Sequence, residues 1–309
     1  TGPLQLVNWD QGNEIVFSRY DDYWGEPSIE ETVILRWSAE AAARATELRA
    51  GTIDGMKFAN PEDIPVFRND PNFTLVDIPP LTGVYVGMSN FYAPLDDVRV
   101  RTAIAMGVNR SRIVDNFFPD GSIFTSDFVP PAVFGHVAAD GVPGYDAEMA
   151  VALLEEAAAD LGFELPLDTV VDKRTGEEQP LTLTYRDVVR GYLPTPGIIA
   201  NDLQAQLAEI GVMADVQVVE SGAFIASSLS GNEPLHLLGW HADFPDATNF
   251  LTCCHGPNLD QFGEPYPEVY EPLIAAGQEL DPAVREELFG QVAQGMAEVV
   301  PWVPFGHAG

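Results

Sequence analysis

The chain has 309 residues, with 47 Asp or Glu against 15 Lys or Arg, for a formal charge of −32. That balance argues against nucleic acid or anionic lipid as a partner, because both are bound by basic surfaces. A hydrophobic content of 46% excludes a disordered chain, and no apolar run approaches the roughly 18 residues a membrane-spanning helix needs. The length suggests two domains of ordinary size, and the 27 Gly and 25 Pro, without a collagen period, point to many turns.

Lys57 and Lys173 are the only lysines; the other cations are arginines. An acidic, lysine-poor surface fits a salty medium, where screening relieves self-repulsion. The two cysteines are the neighbours Cys253 and Cys254, which make no disulfide framework. Thr1-Gly2-Pro3 has neither an initiator Met nor an apolar targeting segment, and both ends read as cut from a longer protein.

In chain order, Leu4–Trp9 and Glu14–Arg19 are extended runs joined by Asp10-Gln11-Gly12-Asn13, which predicts a β-hairpin. Ser38 is placed to cap an Ala-rich helix over 39–50 with Gly51 as its terminator, and 52–56 reads as a short strand or turn. Phe73–Ile78 and Thr82–Met88 read as strands. Asp96 or Asp97 caps a helix with Val100, Ile104 and Val108 on one face, and Ser111 opens a shorter one through Phe118.

Asp146 caps a helix that ends at Gly162, and the polar stretch 164–180 reads as an exposed excursion. Leu181–Tyr185 alternates as a strand. Thr195-Pro196 starts a helix with Ile199, Leu203, Leu207 and Ile210 inward and Gly211 as its stop, and 212–218 is a strand again. Strand, helix, strand in succession predicts a parallel βαβ unit with a right-handed crossover. A helix near 223–229, an apolar strand over 235–240, helices over 267–276 and from Asp281-Pro282 with Val284, Leu288 and Val292 on one stripe, and a buried strand over 300–305 complete the chain. The class is α/β in two lobes.

The most suggestive place for chemistry is Gly239-Trp240-His241-Ala242-Asp243-Phe244, where an apolar strand runs into an aromatic and a carboxylate. Ligands of open α/β sheets collect beyond the carboxyl ends of strands; a Trp there offers a flat wall and an Asp a partner for a cation. The bland reading puts Trp240 in the core with Asp243 capping a turn. Arg186 and Arg190 follow the strand 181–185, so they too face a strand's carboxyl end, where an arginine fork suits a carboxylate. Cys253-Cys254-His255 with His241 and His236 lacks metal-ligand spacing, and neither a nucleophile elbow nor a phosphate loop is present. Adjacent acids such as Asp96-Asp97 and Glu155-Glu156 are expected by chance among 47 carboxylates, and Arg99 and Arg101 are expected to pair with nearby acids.

Six stretches resemble the family 5 extracellular solute-binding proteins of ABC importers, the oligopeptide- and dipeptide-binding type. They are Thr1-Gly2-Pro3 with Trp9, Gly12 and Asp21-Asp22-Tyr23-Trp24-Gly25; Ala43-Arg44 through Leu48-Arg49-Ala50-Gly51-Thr52-Ile53-Asp54; Pro94–Ala105 with Asn109-Arg110; Tyr145-Asp146 with Ala150, Leu153 and Leu154; Asp202–Val212; and Gly239–Asp246. Each is short, but they stand in the family's order and spacing. The chain is similar to only the middle and later portion of a member, with about a third of the protein expected before Thr1 and a final stretch after Gly309.

The resemblance implies a periplasmic-binding-protein-like two-lobe fold (type II, cluster C), present in part. Residues 1–90 are expected in lobe I, 91–300 in the ligand-binding lobe III, and 301–309 at the start of the return to lobe I. It implies capture of a di- or oligopeptide between closing lobes and delivery to ABC permease subunits. The member implied is a monomer without enzymatic activity, cofactor or metal, periplasmic or extracellular, with a lipid anchor in the portion before Thr1. Asp243 stands where family members hold a peptide's α-ammonium, and Arg190 is the match for the arginine that holds the ligand carboxylate. Trp240 walls the side-chain pocket, and His241 and Tyr192 are its neighbours. Members that bind nickel chelates, oligosaccharides or opines define the alternative.

Overall fold

A computed structural model describes residues 2–76 and 80–309. The backbone divides into two units, residues 1–59 and 60–309. In the first, β1 (Leu4–Asp10) and β2 (Glu14–Arg19) form the expected hairpin, with Leu4 opposite Arg19 and Asp10 opposite Glu14. Gly12 takes φ +89° in the turn, a conformation open to glycine at little cost. A third strand, β3 (Thr32–Arg36), pairs with β2; four of its five residues are exposed, so it has no alternating pattern to announce it. The helix α1 (Ala41–Ala50) starts after Glu40 instead of Ser38, whose carbonyl accepts from Arg44, and it ends at Gly51 in the left-handed region.

The second unit opens with the short α2 (Ile64–Asn69). Phe73–Val76 is not a strand, and the rest of that expected strand, Asp77 and Ile78, lies outside the described residues. Next come β4 (Thr82–Met88), β5 (Tyr92–Ala93), α3 (Val98–Gly107) capped by Asp97, and α4 (Arg110–Phe117). Asn109, not Ser111, caps α4, accepting from the Arg112 backbone N–H at 3.0 Å. After β6 (Ile123–Phe124), α5 (Ala147–Leu161) runs from its Asp146 cap to Gly162 as expected.

The stretch expected to be an excursion is a second hairpin, β7 (Thr169–Asp172) with β8 (Glu177–Pro180), added to β5. Then follow β9 (Thr182–Tyr185), α6 (Pro196–Glu209), β10 (Asp215–Val218), α7 (Ser221–Leu229) and β11 (Leu235–His241). The chain closes with α8 (Ala247–Leu251), α9 (Pro267–Gln278), α10 (Pro282–Val299) and β12 (Trp302–His307).

One six-stranded sheet organises this unit, in the order β10-β9-β11-β4-β12-β6. β9 runs parallel to both β10 and β11, as a strand–helix–strand sequence requires, whereas β4, β12 and β6 continue the sheet antiparallel. Because side chains alternate across a strand, the sheet feeds two cores. Val84, Val86, Leu235, Leu237, Val303 and Phe305 pack with α3–α6 on one face. Tyr85, Leu238 and Trp302 pack with α8–α10 on the other. On α10 the buried stripe is Phe289, Val292, Gly295 and Val299; the expected Val284 is 41% exposed.

The expected lobe boundaries at residues 90 and 301 both fall inside the second unit. β4 and β12 are neighbours in the middle of the second unit's sheet, with Val303 opposite Val86, so 82–90 and 301–307 belong with it. Arg99 pairs with Asp97, Asp160 and Glu156 as expected. Arg101 does not: it is buried and donates to the carbonyls of Leu95, Val299 and Val300, tying α3 to the end of α10.

Candidate functional site

The tip of β11 is built around a glycine. Gly239 lies under the Tyr192 ring: a Cβ there would meet Tyr192 Cδ2 at 2.5 Å and the Gly83 carbonyl at 2.4 Å. Only a residue without a side chain lets strand and ring approach this closely. Tyr192 is buried, on a short loop closed by mutual backbone bonds between Arg190 and Leu193 at 3.1 and 3.0 Å. Gly239 and Tyr192 belong to the α3–α6 face of the sheet, and Trp240, one residue on, points to the other face, against the second core.

Asp243 and Trp240 are brought together by a residue the sequence reading missed. Asn249, buried on α8, accepts from the Trp240 indole N–H at 3.1 Å and from the Asp243 backbone N–H at 2.9 Å. Its amide nitrogen lies 3.5 Å from Asp243 Oδ2. Asp243 itself is exposed, so its carboxylate is oriented but not consumed. It does not cap the turn; Asp246 does, accepting from the Thr248 backbone N–H at 3.0 Å and its hydroxyl at 2.7 Å.

Asp246 is anchored in turn by Arg285 of α10, which donates to both its oxygens at 2.9 and 3.0 Å. That guanidinium also donates to the Ala276 carbonyl and lies 5.0 and 5.3 Å from the ring centres of Phe134 and Phe289. Burial alone would raise the Asp246 pKa, but the bonds from Arg285 and Thr248 outweigh it and hold the carboxyl below its ordinary value. The signal in the sequence was the capping pattern Asp-x-Thr ahead of Phe250-Leu251; the partner 39 residues on carried none.

The other charged group is positive. Arg186, just past β9, donates to the Tyr192 hydroxyl at 2.7 Å and the Ser221 hydroxyl at 2.9 Å. Arg190 is half-buried, and its guanidinium has no carboxylate partner among the described residues. Burial, and then the like charge of Arg186, lower its pKa, with Tyr192 acting the other way. Arg19, Arg99, Arg112, Arg174 and Arg285, by contrast, each pair with an acid.

His241 lies at the end of β11 opposite Thr82, with Nδ1 3.0 Å from the Ala242 carbonyl oxygen. The Cys253 and Cys254 sulfurs are 3.2 Å apart, and burial pushes the Cys254 thiol well up. No group of three His, Cys, Asp or Glu placed to hold a metal occurs among the described residues. A cavity of about 70 Å³ lies apart from the β11 tip, beside Arg110, Asp127, His136 and Phe289. It is mostly apolar, and burial pushes Arg110 down to about 10.

The sequence model of the bacterial extracellular solute-binding proteins, family 5 (middle), matches residues 1–258. The dipeptide-binding protein of Escherichia coli K12 is 26% identical over 313 residues, covering all of this chain and 56% of that protein. The chain thus spans little more than half the length of this relative. Among solved structures, the periplasmic binding protein DppA of Helicobacter pylori, in complex with the peptide STSA, superposes with a TM-score of 0.82 at 23% identity. The dipeptide binding protein of a Pseudoalteromonas species, in complex with Met-Leu, gives 0.83 at 20% identity. The alignments cover all of this chain and 57% and 59% of those chains.

Proposed function

Because the chain belongs to the family 5 bacterial extracellular solute-binding proteins, we propose that its protein captures a small peptide outside the cytoplasm. It then hands that peptide to the transmembrane permease of an ABC importer, binding as a monomer without chemical change. The single observation that carries this reading is the charge arrangement at the end of β11. An exposed, oriented carboxylate, Asp243, stands with Trp240 on one side of the strand, and arginines without carboxylate partners, with Tyr192, on the other.

A zwitterionic peptide presents the complementary pair, an α-ammonium and a terminal carboxylate. In this reading Asp243 takes the first, Arg190 takes the second, Trp240 lines the side-chain space, and Tyr192 and His241 flank them. Loss of water around each charge pair on closure strengthens both. No reaction is assigned, since Asp246, the nearest other acid in sequence, is tied up as a cap and ion pair.

The test is calorimetric titration of the complete natural polypeptide with Ala-Ala. Asp243→Ala should weaken binding by about 100-fold or more, the scale for leaving a desolvated ammonium unpaired. Unchanged affinity rejects the assignment. A thermal-shift screen in which an oligosaccharide, opine or nickel chelate raises the melting temperature and no dipeptide does would replace peptide as the ligand.

A further inference from the structure

The arginine side of the tip carries more positive charge than a terminal carboxylate can neutralise. Two guanidiniums flank Tyr192 there: Arg186 bonds its hydroxyl at 2.7 Å, and Arg190 opens the turn that carries it, where the like charge of Arg186 disfavours the charged form of Arg190. Their protein partners are neutral: the Tyr192 and Ser221 hydroxyls for Arg186, and nothing acidic for either side chain among the described residues.

Asp187, next to Arg186 in sequence, and Glu220, next to its partner Ser221, are both turned elsewhere. Asp187 Oδ1 lies toward Gly197, beside the Tyr185 hydroxyl. Glu220 is the cap of α7, accepting from the backbone N–H groups of Gly222 and Ala223 at 2.8 and 3.0 Å. Arg101 and Arg110 also lack a carboxylate, but they spend their donors on main-chain carbonyls, whereas among the described residues Arg186 bonds only hydroxyls, and close like charges in a partly desolvated place stay costly until an anion arrives.

Donors remain to receive it. Each guanidinium has five N–H groups, and the bonds of Arg186 engage two of its own. The Tyr192 hydroxyl accepts from Arg186, which leaves its own hydrogen to donate. One carboxylate taken up by Arg190 leaves Arg186 uncompensated.

We propose that Arg186 is a specificity-determining residue that selects peptides whose carboxyl-terminal residue bears a second, side-chain carboxylate. This rests on the peptide-binding reading above and names the ligand class within it: Arg190 takes the terminal carboxylate, and Arg186, held in place by Tyr192 and Ser221, takes the acidic side chain.

The test is titration of the complete natural polypeptide with Ala-Ala, Ala-Glu and Ala-Lys. Ala-Glu should bind about tenfold tighter than Ala-Ala, with Ala-Lys weakest. In Arg186→Gln the ratio of Ala-Glu to Ala-Ala affinity should collapse toward one, and in Arg186→Lys, which keeps the charge, most of it should return. Ala-Ala binding without any advantage for Ala-Glu, or an advantage that survives Arg186→Gln, overturns the assignment of Arg186 and leaves the peptide reading intact. Binding of none of the three dipeptides overturns both.

Discussion

The two sides of the β11 tip are organised on opposite principles. On the Asp243 side every charged or polar neighbour is satisfied inside the protein: Asn249 holds Trp240 and the Asp243 backbone, Asp246 caps the helix carrying Asn249, and Arg285 holds Asp246. On the Arg190 side Arg186 meets only hydroxyls, and Arg190 meets no acid among the described residues. One side is pre-organised by internal compensation and offers a single exposed carboxylate. The other keeps its charge in reserve. In the proposed reading, such an arrangement orders the negative anchor before binding and leaves the balancing of the positive one to the ligand.

The contrast can be attacked by substitution. The largest effect is expected from Arg190→Met, which keeps the stem and removes the charge; Ala-Ala affinity should fall about 100-fold, measured by calorimetry. Asp246→Ala should cost about 2–3 kcal/mol of stability in thermal or urea unfolding, because it removes a helix cap and leaves Arg285 unpaired in a half-buried setting. If that loss is absent, the Asp243 side is not held from below.

The same pair gives a pH signature. A folded pKa lower than the unfolded one contributes stability that is fully present above about 3.9 and is lost as pH falls through the folded value. The difference in melting temperature between the wild type and Asp246→Ala should therefore be flat above about pH 5 and shrink below about pH 4. A difference that shrinks on raising the pH would contradict the ion pair.

Gly239→Ala should destabilise by about 1–3 kcal/mol by overpacking and push Tyr192 off the strand, lowering ligand affinity with it. The smallest effect is reserved for Asn249→Ala, about 1–2 kcal/mol in stability, since two donors lose one shared acceptor. Its diagnostic is a change in Trp240 fluorescence together with weaker peptide binding. A change in one without the other separates the indole from the carboxylate.

How much of this was legible beforehand follows physical lines. The strands and helices around the large sheet announced themselves because one face of each is buried: α6 keeps Ile199, Leu203 and Leu207 inward, and β9 and β10 pair in parallel as the succession required. The pieces that escaped, β3 and the β7–β8 hairpin, are mostly exposed, so no burial imprints a period on their sequence. Phe73–Val76 shows the converse, an apolar run that forms no strand.

Of the candidate site, Trp240 stood out at the end of an apolar strand and Asp243, Arg190 and Arg186 beyond one. Asn249 and Arg285 were not, because their roles arise only when α8 folds back beside β11 and α10 is laid against it. Arg101 misled for a similar reason: its partners are carbonyls, two of the three about two hundred residues away, invisible to local charge counting.

The pairing of β4 with β12 has one more consequence. The Thr82 hydroxyl accepts from the Ala308 backbone N–H at 2.8 Å, and His307 Nδ1 sits 2.6 Å from the Thr82 carbonyl oxygen, so the first and last strands of the sheet are fastened at one corner. Whatever is threaded through that corner arrives and departs at the same point. Thr82 and Ala308 are each 5% exposed, so this shared entry and exit is shielded from water.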